Sequence, residues 1–204
     1  RISSIWNLFM WLAIGVLALV VVLVVYVVVR FKRRDTLLAK QTHYRPVIEI
    51  TYVVIPLILV IALFFVTLSG LHEVDATHEE PDEVIDVVGF QWDWQFGYPN
   101  EGVTVTGDTE GKPPELVLPA NSKVRFNLNS RDVIHSFWIP EFHFKRDLIP
   151  GSPTSFDVTV GGEVGSYPSG ACAEFCGLDH TSMIFDVRVV DRAEFDRWID
   201  ERRK

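Results

Sequence analysis

The chain has 204 residues, room for one ordinary domain and a smaller element, and a formal net charge of −8. Residues 1–70 carry seven Lys/Arg and two Asp/Glu, whereas residues 71–204 carry twelve and twenty-five. A basic front and an acidic remainder argue against a nucleic-acid binder, and an acidic outer surface would steer a basic protein partner toward it.

From Ile5 to Val29 no residue is charged, a run of 25. A bilayer core takes about 20 apolar residues in helix, so a transmembrane span is expected over about 5–29. The run is too long for a signal-peptide core, and no small-residue cleavage site follows it. Trp6, Phe9 and Trp11 suit an interfacial anchor. The loop 30–46 sets Arg30, Lys32, Arg33, Arg34, Lys40 and Arg45 against Asp35, which places it on the cytoplasmic side. A second apolar run, about 47–71, returns the chain. Residues 1–71 therefore read as a helical hairpin in lipid with both termini outside. Glu49 lies about one turn inside the second span, with Thr51, Tyr52 and Pro56 beyond it. An ionisable group at that depth is a functional candidate; the plainer reading is a carboxylate snorkelling to the headgroups.

Residues 72–83 are polar and acidic and read as a linker, with His72 and His78 as solvated side chains. The domain 84–204 follows. In Val84–Phe96 the aromatics Phe90, Trp92, Trp94 and Phe96 alternate with Gln91, Asp93 and Gln95, the period of a half-buried strand; four aromatics on one face ordinarily mean core or interface packing. Short strand candidates separated by turn signals recur at Glu115–Leu118, Val124–Leu128, Val133–Ile139, Phe156–Val160 and Phe185–Val189, with apolar residues alternating in the second, fourth and fifth. That spacing predicts an all-β sandwich with no βαβ rhythm. Asp191 and Glu194 form a capping-box-like start to a short C-terminal helix. Phe195, Trp198 and Ile199 make its apolar stripe, and Arg202-Arg203-Lys204 complement its dipole.

The densest chemistry lies in Cys172-Ala173-Glu174-Phe175-Cys176-Gly177-Leu178-Asp179-His180-Thr181-Ser182-Met183. It holds both cysteines, one of six histidines and one of two methionines. His135 sits 37 residues before the first cysteine. Thiolates, imidazoles and a thioether are what copper prefers. A mononuclear centre of two His, one Cys and Met would leave one thiolate idle, whereas a dinuclear one uses every soft donor. A simple disulfide and a zinc site are the competing readings, and neither accounts for Met183.

The pattern Cys-x-Glu-x-Cys-Gly-x-x-His-x-x-Met resembles the CuA motif of cytochrome c oxidase subunit II. The resemblance covers nearly the whole chain. It includes Gly-x-Gln-Trp-x-Trp-x-Phe at 89–96, His135-Ser136-Phe137-Trp138-Ile139-Pro140 and Lys145–Gly151. It implies a cupredoxin-like sandwich holding dinuclear copper (CuA) on His135, Cys172, the Glu174 backbone carbonyl, Cys176, His180 and Met183. Glu174 would also reach a magnesium ion at the subunit I interface. Trp92 would be the residue that accepts electrons from cytochrome c, and Glu49 would stand at the mouth of a proton path. The partners implied are subunit I, which carries the haems and the O2 chemistry, other oxidase subunits, and cytochrome c, soluble or tethered. The place implied is the plasma (inner) membrane, with the copper domain on the outer, periplasmic side, and the activity is O2 reduction coupled to proton translocation.

This chain departs from many relatives at Ser152, where they carry Arg, so any role of that arginine is not carried over. His143, between Phe142 and Phe144, reads as surface or interface. No Cys-x-x-Cys-His pattern occurs, so the expected donor is a separate protein. From another class, a membrane-tethered copper chaperone also pairs Cys-x-x-x-Cys with a distant His, but it would show βαβ units and early cysteines. The CuA domain of nitrous oxide reductase would need an attached propeller and no hairpin, and a quinol oxidase subunit II would lack the copper ligands.

Overall fold

A computed structural model of the chain describes residues 2–32, 43–75, 77, 80–107 and 111–203. Two compact units divide between Glu73 and Val74. The first contains helix α1 (Ile2–Arg30) and most of helix α2 (Pro46–Asp75). Both helices are apolar on every side, with mean hydropathies of 3.3 and 2.7. At about 1.5 Å per residue each is long enough to cross a hydrocarbon layer of about 30 Å. A helix apolar all round has no polar face to give to water.

The second span begins as a helix should, with Pro46 in its first turn. Glu49 Oε1 accepts the backbone N–H of Arg45 at 3.0 Å, satisfying a donor that the helix leaves orphaned. Glu49 therefore has a local capping role. The helix also continues past Leu71 to Asp75, so the first four residues of the expected linker are helical; Val74 still supplies an apolar side chain there. Arg33, Arg34, Asp35 and Lys40 of the basic loop, and His78 of the linker, lie outside the described residues.

The second unit is a sandwich of two five-stranded sheets. One has the order β3 (Val103–Thr106), β2 (Asp93–Tyr98), β1 (Glu83–Phe90), β5 (Lys123–Ser130), β8 (Thr154–Thr159). The other runs β4 (Glu115–Pro119), β10 (Ile184–Val190), β9 (Gly165–Cys172), β6 (His135–Ile139), β7 (Phe144–Leu148). Helix α3 (Arg192–Arg202) follows the last strand. Among the described residues no α-helix connects one strand to the next, so the βαβ arrangement of a thioredoxin-like chaperone is absent.

The alternating runs become strands because one face of each is buried. On β5 the buried face is Val124, Phe126, Leu128 and Ser130; on β10 it is Phe185, Val187 and Val189, with Val190 buried as well at the strand's end. Between the sheets Phe137 and Phe185 stack at 5.0 Å, and Trp94 meets them edge-on at 5.9 and 5.4 Å. Such ring pairs contribute about 0.5–1.5 kcal/mol each beyond their buried area.

One expectation is corrected. The strand read from Val84 through Phe96 is a hairpin: Phe90 pairs with Asp93 across the two residues Gln91 and Trp92. Opposed residues of a ladder share a face, and the register joins Val87 to Phe96 and Gly89 to Trp94. Odd-numbered Ile85 and Val87 therefore point inward from β1, but even-numbered Trp94, Phe96 and Tyr98 from β2. Phe90 faces the other way, under the Arg131 guanidinium at 5.2 Å. The aromatic alternation continued through the turn and concealed it.

At the start of α3 the Asp191 side chain accepts the Glu194 N–H at 2.8 Å. Glu194 does not complete the box; its carboxylate binds Arg188 at 2.5 Å. Nearby, the buried Glu83 carboxylate pairs with Arg192 at 2.6 Å. Among the described residues, its second oxygen and one oxygen of Glu101 are buried without a hydrogen-bond partner. Burial raises the Glu83 carboxyl above its usual range and the Glu101 charge adds to the rise, while Arg192 opposes both. A raised carboxyl contributes stability at low pH that is lost as pH climbs through its folded value. The melting temperature of Glu101→Gln relative to the native β unit is therefore expected to increase as pH rises from acid to neutral; a difference flat with pH would refute this.

Candidate metal centre

The cysteine-bearing loop is tied to both neighbouring strands. Cys172 ends β9 and donates its N–H to the Met183 carbonyl at 3.0 Å; Ala173 donates to the Ser136 carbonyl at 3.0 Å. Phe137 lies opposite Cys172 in the ladder. Residues 37 apart in sequence, His135 at the start of β6 and Cys172 at the end of β9, thereby meet.

The donors converge closely. Cys172 Sγ and Cys176 Sγ lie 3.8 Å apart, both free, well beyond the ~2.05 Å of a disulfide. His135 Nδ1 stands 3.8 Å from Cys172 Sγ, and His180 Nδ1 stands 3.5 Å from Cys176 Sγ. Met183 Sδ is 3.7 Å from Cys176 Sγ, and the Glu174 carbonyl oxygen is 3.2 Å from Cys172 Sγ. Ligand atoms of His135, Cys172 and Cys176 all fall within 4.8 Å of one another. Cys172, Cys176, Met183 and His135 are buried, and His180 is half-buried in a short 3-10 turn, His180–Ser182. Two thiols, two imidazoles, a thioether and a carbonyl suit copper, and the residues present fit such a group without rearrangement of the fold.

The sulfurs are electrically unlike. Burial alone would raise the Cys172 thiol, but contacts to His135 and to the backbone of Glu174 and Ser136 outweigh it and bring it down to about 6. Burial, and then the neighbouring Cys172 thiolate, push Cys176 up to about 12. Without metal the pair thus keeps one proton.

Asp132 and Gln91 belong to the site but were not singled out in the sequence. Asp132 Oδ1 lies 2.8 Å from His135 Nε2, which turns Nδ1 toward the sulfurs. Its carboxylate also accepts the N–H groups of Gln91 at 2.7 Å and Val133 at 2.6 Å. Burial would raise its carboxyl, but His135 and these N–H groups hold it below the usual range. An Asp three residues before a candidate histidine was the available signal. Gly89 leaves room for the imidazole: a Cβ there would stand 3.1–3.3 Å from the His135 side chain.

Trp92 is half-buried, and its indole N–H donates to the Cys176 carbonyl at 3.2 Å. Trp94, by contrast, is core. The Glu174 side chain is exposed. His143 is exposed, in a left-handed conformation, consistent with its reading as surface. Glu49 belongs to the other unit.

Comparison with known proteins bears on this site. A family profile described as cytochrome c oxidase subunit II, periplasmic domain, matches residues 108–190. The probable cytochrome c oxidase subunit 2 of Streptomyces coelicolor is 34% identical over 100% of this chain and 76% of its own length. The crystal structure of the periplasmic domain of subunit II of cytochrome oxidase of Bradyrhizobium japonicum superposes with a TM-score of 0.55. The identity is 30%, over 62% of this chain and 96% of that one. A chain of a haem-copper terminal oxidase dimer shares the fold at a TM-score of 0.50 and 23% identity, over 70% of this chain and 99% of that one.

Two outcomes are expected of the metal-free β unit. Ultraviolet absorbance should report about one thiolate at neutral pH, lost as pH falls through about 6. Cys172→Ser should abolish that step. Gly177 has φ +122°, and a Cβ on it would stand 3.1 Å from Gln91 Nε2 and Trp92 Nε1. Gly177→Ala should therefore lower unfolding stability by about 1–3 kcal/mol, read from the denaturant midpoint.

Proposed function

The chain belongs to the cytochrome c oxidase subunit II family, and from that premise we propose that it is the electron-accepting subunit of a respiratory oxidase. Its two spans and outer β unit make it a membrane-anchored protein of that family. In the proposed arrangement the β unit faces the outer side of the plasma membrane and accepts electrons from cytochrome c. It passes them to haem in subunit I, where O2 is reduced with proton translocation.

The observation that carries the reading is the pair of free sulfurs 3.8 Å apart, each with an imidazole nitrogen within 3.8 Å. Cys172 and Cys176, His135 and His180, Met183 and the Glu174 carbonyl would together hold two copper ions, as thiolate, imidazole, thioether and carbonyl donors. A copper pair bound there supplies a one-electron acceptor whose charge is spread over both sulfurs.

The protein's own groups do the rest. Asp132 holds the His135 ring in one tautomer, so no proton need move when an electron arrives. Trp94, Phe137 and Phe185 wall the inner side and exclude water, which favours a small rearrangement on electron transfer. Trp92 bonds directly to the peptide of a ligand, and its half-exposed ring offers a donor haem a short path inward. Phe175 and Leu178 stand 77% and 87% exposed on the same loop, an apolar surface suited to another oxidase subunit. The exposed Glu174 carboxylate is available to a magnesium ion shared with subunit I. At Glu49 a proton-path role would add to the cap it makes on Arg45.

Copper loading tests this reading. Two coppers per chain, with EPR hyperfine coupling to two equivalent nuclei, is the expected result. Cys176→Ser should halve the copper and remove the coupling. One copper per native chain, with binding left unchanged by Cys176→Ser, would instead support a copper chaperone.

A further inference from the structure

The Cys176 carbonyl is held by two side chains. Gln91 Nε2 donates to it at 2.9 Å and Trp92 Nε1 at 3.2 Å, which uses both lone pairs of one oxygen. Gln91 is otherwise an exposed turn residue, and an exposed amide ordinarily bonds to water. The close approach depends on Gly177, because a Cβ there would crowd the amide and the indole equally at 3.1 Å. Gln91 also donates its backbone N–H to Asp132 Oδ2 at 2.7 Å, while the other oxygen of that carboxylate holds His135. One residue therefore touches the histidine side and the cysteine side of the centre.

We propose that Gln91 is a positioning residue for electron transfer: its amide clamps the Cys176–Gly177 peptide so that the Trp92 indole stays bonded to the ligand carbonyl. The inference rests on the electron-accepting reading of Trp92. The shorter amide bond fixes the carbonyl's direction. The longer indole bond then finds its acceptor already in place, and the half-exposed ring is confined to one rotamer. During turnover the donor haem iron loses one electron and the centre gains it; no bond forms or breaks and no proton moves. Gln91 does not touch the donor in this account, so it governs the rate within the docked complex and not the docking.

The test uses the assembled, copper-loaded oxidase with Gln91→Leu and Gln91→Glu, which keep the bulk of the side chain but lack its N–H donors. At saturating reduced cytochrome c the rate of copper reduction is expected to fall about fivefold, the scale of one neutral hydrogen bond. KM and its salt dependence should be unchanged, as should copper content and hyperfine coupling. Ultraviolet resonance Raman, with the Trp92 contribution isolated against Trp92→Phe, should show a weaker indole N–H hydrogen bond in both Gln91 variants. A rise in KM at an unchanged saturating rate would make Gln91 a docking contact and overturn the proposal. So would an unmoved indole band, or altered copper hyperfine coupling in both variants. If Trp92→Phe itself leaves the saturating rate intact, the electron-accepting reading of Trp92 fails, and the Raman band still decides whether Gln91 positions the indole.

Discussion

Two backbone hydrogen bonds govern the centre: Cys172 N–H to the Met183 carbonyl, and Ala173 N–H to the Ser136 carbonyl, each 3.0 Å. They close the loop 173–182 on itself and fasten it to β6. Both cysteines, Met183, His135 and His180 then lie within contact distance, although the loop has almost no regular structure of its own. The sheet order β10-β9-β6 makes this possible, because it sets the strand that ends in Cys172 between the strand that follows Met183 and the strand that begins with His135. A change in that order would separate the ligands while leaving the core composition untouched.

Packing and electrostatics act together at this loop. A buried thiol ordinarily stays protonated, yet Cys172 is driven the other way by an imidazole and by backbone groups. The imidazole can do so because Asp132 holds its far nitrogen. The sulfurs stay 3.8 Å apart because each is fixed by a different anchor: Cys172 by the strand ladder, Cys176 by a peptide gripped by Gln91 and Trp92. The scaffold thus keeps two thiols adjacent but unjoined. That arrangement leaves both free for metal, at the cost of a stability that a disulfide would have contributed.

Much of this was legible in the sequence, and for a definite reason. Cys172, Cys176, His180 and Met183 are close along the chain, so their spacing alone carries their chemistry. Strands such as β5 and β10 were legible because burial on one face imposes alternation. What escaped depends on register and turns. The hairpin at Gln91–Trp92 kept the aromatic rhythm while exchanging which parity faces inward. β9 carries Pro168, Ser169 and Gly170 and shows no alternation, and β7 sets three consecutive charged residues between Phe144 and Leu148. Asp132 and Gln91 are ordinary polar residues in sequence; only the meeting of the β1–β2 turn with the segment before β6 gives them partners.

The two units answer to different solvents, and the composition divides accordingly. In α1 and α2 apolar side chains cover every face, and three polar exceptions are satisfied locally. Thr51 and Thr67 donate to carbonyls four residues back at 2.6 and 2.9 Å, and Glu49 accepts a helix-terminal N–H. In the sandwich the same apolar residues turn inward and charge takes the surface, paired where it is half-buried, as in Arg125–Asp157 at 2.8 Å and Arg188–Glu115 at 2.8 Å. Among the exceptions to this sorting are Phe175 and Leu178, apolar and exposed on the loop that carries the cysteines, and Trp92, half-buried against the Cys176 carbonyl. Exposed apolar groups cost little singly, but several of them around one donor set offer an apolar surface beside the centre. The electron-transfer role proposed for the centre would use that combination: Cys172, Cys176, Met183 and His135 buried, and an apolar margin across which a partner can approach.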